Sequence, residues 1–128
     1  MAAYKRKEVL RDLYDKALTI CDKVFTSSRP TATEQMKKFI VVRLPQGIEP
    51  YADTHHISHA QMICFVKDKQ GGLEDVNIME DMVESVMGLF PMDDSLISCN
   101  NAPLLLPTKS DGMGFHSTII QFNIVIKL

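Results

Sequence analysis

Long hydrophobic runs are missing from this chain: no apolar stretch approaches the ~18 residues needed to span a bilayer. Residues Met1 to Leu13 are charged, with no apolar segment leading to a small-residue cleavage site, so a secretory signal is not expected. Charge of one sign is missing too. Fourteen Lys plus Arg stand against sixteen Asp plus Glu, a formal charge of −2 and a pI near 6.0. That balance lacks the electrostatic footprint that dominates binding to phosphate backbones, and sequence-specific nucleic-acid recognition is not expected. The basic cluster Lys5, Arg6, Lys7 and Arg11 lies on one face of a predicted helix and reads as a solvated surface. Cysteine is scarce: Cys21, Cys64 and Cys99 are odd in number, widely spaced and flanked by apolar residues, which suits small buried hydrophobes in a reducing compartment. Repeats and low-complexity tracts are absent. The expectation is a soluble protein that starts in the cytoplasm, with no membrane contact.

What remains is an ordinary globular composition, 45% hydrophobic and 23% charged over 128 residues, enough for one domain spanning residues 1–128 without metal or disulfide support. From Tyr4 to Asp22, apolar residues recur at Val9, Leu13, Ala17 and Cys21, with a second row at Leu10, Tyr14 and Leu18, predicting a helix with one buried stripe. Thr26 to Thr33 holds Ser27, Ser28 and Pro30 and predicts irregular chain. Lys38 to Leu44 is a β-branched and aromatic strand ended by Pro45 and Gly47, and Pro45 to His56 reads as a long loop. Alternation returns from Ile57 to Lys67, with Ala60, Met62, Cys64 and Val66 on one face and His59, Gln61, Ile63, Phe65 and Lys67 on the other.

After Gly71 and Gly72, Leu73 to Phe90 has helical spacing, with Glu74 and Asp75 in the first turn and Pro91 as the stop. Leu96 to Leu106 is a strand interrupted by Asn100, Asn101 and Pro103. Ser110 to Gly114 is a turn, and Phe115 to Leu128 alternates as the last strand. The expected fold class is α+β: a four-stranded, mostly antiparallel sheet, element order α-β-β-α-β-β, with the N-terminal and central helices packed on one face. The other face, His59, Gln61, Gln121 and Asn123 with Ile63 and Phe65, is half-apolar, and a second layer from another subunit could cover it.

Chemistry-bearing patterns are few. Asp53, His55, His56 and His59, with His116, are ligand types that zinc accepts, but their place on a loop and strand start lacks the helical spacing that would make them converge, so a solvated loop is expected and no metal. No Gly-x-Ser-x-Gly elbow or Cys-His signature is present, and Gly71, Gly72, Gly112 and Gly114 are not followed by the Lys-Ser or Lys-Thr of a phosphate loop. The pairs Glu80–Asp81 and Asp93–Asp94 read as solvated. Met79, Met82 and Met87 read first as core packing and second as an adaptable partner surface. No cofactor and no catalytic residue is expected, and the chain is not expected to be an enzyme.

The order of elements resembles the tail terminator proteins of long-tailed bacteriophages, which act in tail completion and head–tail joining. The matching features are the N-terminal helix, the segment Val24-Phe25-Thr26-Ser27-Ser28-Arg29-Pro30, and the strands Phe39 to Leu44 and Gln61 to Val66. The helix Met79 to Phe90 and the closing Asp111-Gly112 turn into Ser117 to Lys127 complete it. It covers nearly the whole chain as a pattern of elements without an invariant motif. The resemblance implies a homo-oligomer, typically a hexameric ring, that caps the tail tube and offers the head-docking surface, with the sheet continuing between subunits. Its implied partners are the tail tube protein and a head-completion protein, and its implied location is the cytoplasm during assembly and then the virion tail. The family has no catalytic residues to carry over.

On that reading the loop Pro45 to His56 and the turn Lys109 to Gly114 are contact candidates, through Tyr51, Asp53, His55, His56 and Met113, together with His59, Ile63 and Phe65 on the outer sheet face. Lys37 and Lys38 near the first strand depart from a strongly acidic lumen. Two other classes stay open: a small binding module using the sheet face, and a metal-dependent hydrolase built on the histidines.

Overall fold

The computed structural model describes residues 4–31 and 33–128. Helix α1 (Arg6–Leu18) leads into β1 (Val24–Thr26), β2 (Lys38–Arg43), β3 (Ile48–Ala52) and β4 (His55–Lys67). Helix α2 (Val76–Met87) follows, then β5 (Met92–Asp93), β6 (Ile97–Cys99), β7 (Leu104–Leu105), β8 (Lys109–Ser110) and β9 (Phe115–Lys127). Asp75 caps α2 by accepting from the Ile78 amide at 3.3 Å, so it precedes the first turn in which the sequence reading put it.

Among the described residues the sheet has nine strands where the sequence reading counts four, and β1 pairs with β2 in parallel while the other pairings are antiparallel. The difference has local causes. Ile48 to Ala52 folds back on His55 to Ser58 as an edge hairpin, where Pro50 needs no ladder donor, so the expected long loop is mostly strand. Leu96 to Leu106 splits into β6 and β7 around Asn100 to Pro103. Val24 to Thr26 finds a partner in Ile40 to Val42.

The 13-residue strands β4 and β9 pair over their whole length, from His55↔Lys127 to Lys67↔Phe115. Everything else attaches to this pair: β2 and β3 flank β4, and β6, β7 and β8 line the far side of β9. Since side chains alternate along a strand, the register sorts them into two faces. Ile40, Val42, Ala60, Met62, Cys64, Val66, Ile120, Phe122, Ile124 and Ile126 point to the helices, where Val9, Leu13 and Ala17 of α1 and Met79, Met82, Val83 and Val86 of α2 close one core. Both helices therefore cover the same face, and the methionine stripe is core at Met79 and Met82.

The opposite face holds a second, smaller core of Phe39, Val41, Ile63, Phe65 and Phe115, with Phe25, Met36 and Ile119 packed against it. Phe39 stacks on Phe65 with ring centroids 4.5 Å apart and meets Phe115 edge-on at 5.2 Å. Its cover is the segment the sequence marks as irregular. Ser27, at φ 75°, turns the chain out of β1. Arg29 then lies over the rings of Phe115, Phe39 and Phe65 at 5.3, 5.7 and 5.9 Å. Its Nε donates to Asp111 Oδ2 at 3.0 Å, and both side chains are nearly out of solvent. Asp111 Oδ1 accepts from the amides of Met113 and Phe115, which fixes the turn in which Gly112 and Gly114 hold positive φ. One guanidinium thus ties a strap at residue 29 to a turn at residue 111 across an aromatic floor.

Removing that clasp leaves the Asp111 carboxylate buried without its cation and the rings open to water. Arg29→Ala is expected to lower unfolding free energy by about 3 kcal/mol in chemical denaturation. Arg29→Lys should recover only part of it, because an ammonium cannot both stack flat on the rings and hold the carboxylate. A loss below about 0.5 kcal/mol, the range of an ordinary surface change, would refute the clasp.

Candidate functional site

The contact candidates read from the sequence do not form one site. His55 and His59 share the outer face of β4, about 13 Å apart at ~3.3 Å per residue, and His56 points the other way. His56 is 2% exposed on the helix face, its ring 5.1 Å from that of Tyr4, so it is a buried residue and not a surface contact. Among the described residues its Nδ1 has no hydrogen-bond partner, and no three metal-ligating side chains converge. His116, the remaining histidine, is near the other end of the sheet, with Nδ1 2.6 Å from Asp68 Oδ1.

Ile63 and Phe65 are also corrected. Each is 7% exposed beneath the Arg29 strap, so at these two positions the chain itself supplies the cover that the sequence reading assigns to a neighbouring subunit. The polar residues behave differently. His59 and Asn123 face each other across β4 and β9 with a 2.5 Å hydrogen bond, and Gln61 donates to Gln121 at 2.9 Å in the next outward-facing pair. Beyond them the outer face stays open as a groove of about 430 Å³, with Ile57 and Val125 between Glu49 of β3 and Ser98 of β6, and with Gln46, Asn100 and Asn101 also lining it.

Tyr51, Asp53 and Met113 remain exposed, at the two ends of the long strands. The Tyr51 ring lies 5.1 Å from that of His55, tilted by 37°, beside the β3–β4 turn that holds Asp53. Met113 projects from the β8–β9 turn, next to the strand end where Lys67 pairs with Phe115. Twelve residue steps along the strands separate these ends by about 40 Å.

The side margins carry features that the sequence reading missed. Leu104 and Leu105 of β7 are 56% and 48% exposed at a strand that, among the described residues, pairs only with β9. Their signal is present in the sequence as three consecutive leucines between Pro103 and Pro107, too short and too proline-bound for an inner strand. The ion cluster joining α1 to the β5–β6 turn was equally out of reach. Lys16 Nζ donates to Asp12 and to Asp94, each at 2.5 Å, although 78 residues separate Lys16 and Asp94. Asp94 also accepts from the Leu96 and Ile97 amides, so Asp94 is a turn-fixing anchor and not the solvated acid expected.

Electrostatics follow from that geometry. Burial pushes the Asp94 carboxyl up, but the hydrogen bonds of Asp12, Lys16 and the two amides outweigh it and hold Asp94 well below the ordinary 3.8. Asp12 shifts the opposite way, raised by burial and by its hydrogen bond to Asp94, so the two carboxyls titrate as a pair. Burial pushes the Cys64 thiol up to about 12 and raises Cys99 as well, which keeps both protonated and poorly nucleophilic at neutral pH.

No family model and no curated protein matches the chain. Solved structures do match in fold. One, whose name carries no functional term, superposes with a TM-score of 0.62 at 13% identity, covering 98% of this chain and 94% of its own. At that identity the likeness concerns the fold alone.

The Asp94 anchor carries stability that is present above the ordinary carboxylate value and is lost as pH falls through the depressed folded value. Asp94→Asn is therefore expected to cost about 2 kcal/mol at pH 7 through the weakened charge-assisted bonds. Urea titrations below pH 4 should show that gap narrowing, and a gap that widens with acid would contradict the assignment.

Proposed function

We propose that this chain is a structural assembly protein of a phage or prophage tail, of the tail-terminator kind its element order resembles. Its copies join head to tail into a ring, of six on that resemblance, which caps the tail tube and receives the head. The carrying observation is the sheet's pair of open side margins. Among the described residues, β1 and β3 on one side and β5, β7 and β8 on the other have outer edges that pair with no further strand, and Leu104 and Leu105 are exposed there. Sheet edges are ordinarily shielded by charge, proline or cover, and two adjacent exposed leucines at an edge favour a partner.

Two different margins on opposite sides of one sheet suit a heterologous contact, which closes into a ring when its rotation permits. The strand ends then serve as the ring's two unlike faces, with Tyr51, Asp53 and His55 on one and Met113 on the other. These are the surfaces for a tube protein and a head-completion protein. The function asks for no catalytic group or cofactor.

A second reading has one observation in its favour. The groove of about 430 Å³ beside His59 and Asn123 offers amide and carboxylate groups over an apolar floor, as a small-ligand binding module would.

Native mass spectrometry and negative-stain microscopy of the purified chain should show closed rings. The paired change Leu104→Asp with Leu105→Asp should give folded monomers, since both positions are exposed. A wild-type chain that stays monomeric at every concentration, with no tube binding and a melting temperature raised by a small ligand, would transfer the case to the binding module.

A further inference from the structure

The helix layer is charged unevenly from one side of the sheet to the other. Helix α1 packs over β1 and β2, and α2 over β4 and β9. Beside β1, a groove of about 460 Å³ is lined by Arg6, Lys7 and Arg11, with Leu10, Tyr14 and Thr26, and among the described residues no carboxylate lines it. Lys7, Leu10, Arg11 and Tyr14 follow the i, i+3, i+4, i+7 spacing of a single helix face. On the other side, Leu73 to Phe90 holds five carboxylates and no Lys or Arg. Glu80, Asp81 and Glu84 are exposed there, and their spacing puts them in one stripe beside Val76, itself 55% exposed. Among the described residues no ion pair within the chain engages Arg6, Lys7, Glu80, Asp81 or Glu84; Arg11 meets only Asp15, at 3.3 Å on the open surface.

We propose that the cationic groove of α1 receives the acidic stripe of α2 from a second copy of this chain. This rests on the head-to-tail reading above and names the contact that sets its direction. The same step that brings the β1 margin of one copy to the β9-side margin of the next carries α1 toward the neighbour's α2. Charge complementarity selects this occupant: the acidic stripe is built into every copy, whereas the net charge of −2 repels a free polyanion. Exposed pairs are individually weak, so the contact acts through several charges together, steering encounter and rejecting the head-to-head orientation, in which like charges meet.

The test is a charge exchange in the full chain. One variant reverses the groove (R6E, K7E, R11E) and another reverses the stripe (E80K, D81K, E84K); all six positions are exposed, and thermal melting confirms that each variant folds. Each alone is expected to lose apparent association by about tenfold or more. Mixed one to one they should assemble again in strict alternation, as should one chain carrying both sets, and wild-type assembly should weaken from about 0.05 M to about 0.5 M salt. Single variants that assemble like wild type overturn this contact and leave the ring reading standing. Loss in both variants with no recovery on mixing overturns it too, and points the cations at a different acidic partner. A wild-type chain that never associates removes the ring reading and this contact with it.

Discussion

The full-length antiparallel register of β4 with β9 is the constraint from which the rest of the architecture follows. Thirteen paired residues on each strand fix which side chains face the helices and which face outward, and a slip of one residue would exchange the two faces of the shifted strand completely. A slip of β9 would bury Gln121 and Asn123 in an apolar core and expose Ile120 and Phe122; a slip of β4 would do the same with His59 and Gln61 against Met62 and Cys64. The penalty for that inversion makes the register unambiguous, and every shorter strand inherits its position from it.

The register also explains why the outer face is divided along its length. Toward the start of β9, the outward positions Phe39, Val41, Ile63, Phe65, Phe115 and Ile119 of three strands are aromatic or branched, and they need a lid. Toward the end of β9 the same face turns polar, and cross-strand pairs satisfy most of its groups without one. The Arg29 strap covers the aromatic end of this face. Arg29 is suited to this task because its flat cation lies on aromatic rings while its edge donates to a carboxylate.

Much of this was legible from period alone. The alternation of Ala60, Met62, Cys64 and Val66 against Ile120, Phe122, Ile124 and Ile126 marks one sheet face, and the stripes in α1 and α2 mark what covers it. Short strands were less visible, because two or three residues such as Met92–Asp93 or Lys109–Ser110 carry no period, and only a neighbour makes them strands. Cover by Arg29 and anchoring by Asp94 were invisible for another reason. Both join residues about 80 positions apart, and nothing in the local sequence of Ser28-Arg29-Pro30 or Asp93-Asp94-Ser95 announces the partner. The candidate surface was read in the same uneven way: Tyr51, Asp53 and Met113 are exposed as loop tips should be, while His56 is buried because a strand, and not a loop, carries it.

The central position of β9 has a cost during synthesis. Eight strands and two helices leave the ribosome before the strand that lies in the middle of the sheet, and sixty residues separate the ends of β4 and β9. At about 5 to 20 residues per second, the nascent chain holds β4 with one edge unmated for roughly 3 to 12 s. For that interval its inner face of Met62, Cys64 and Val66 is a template for any passing strand, so a cell making many copies at once must keep the half-built sheets apart until each has received its own last strand.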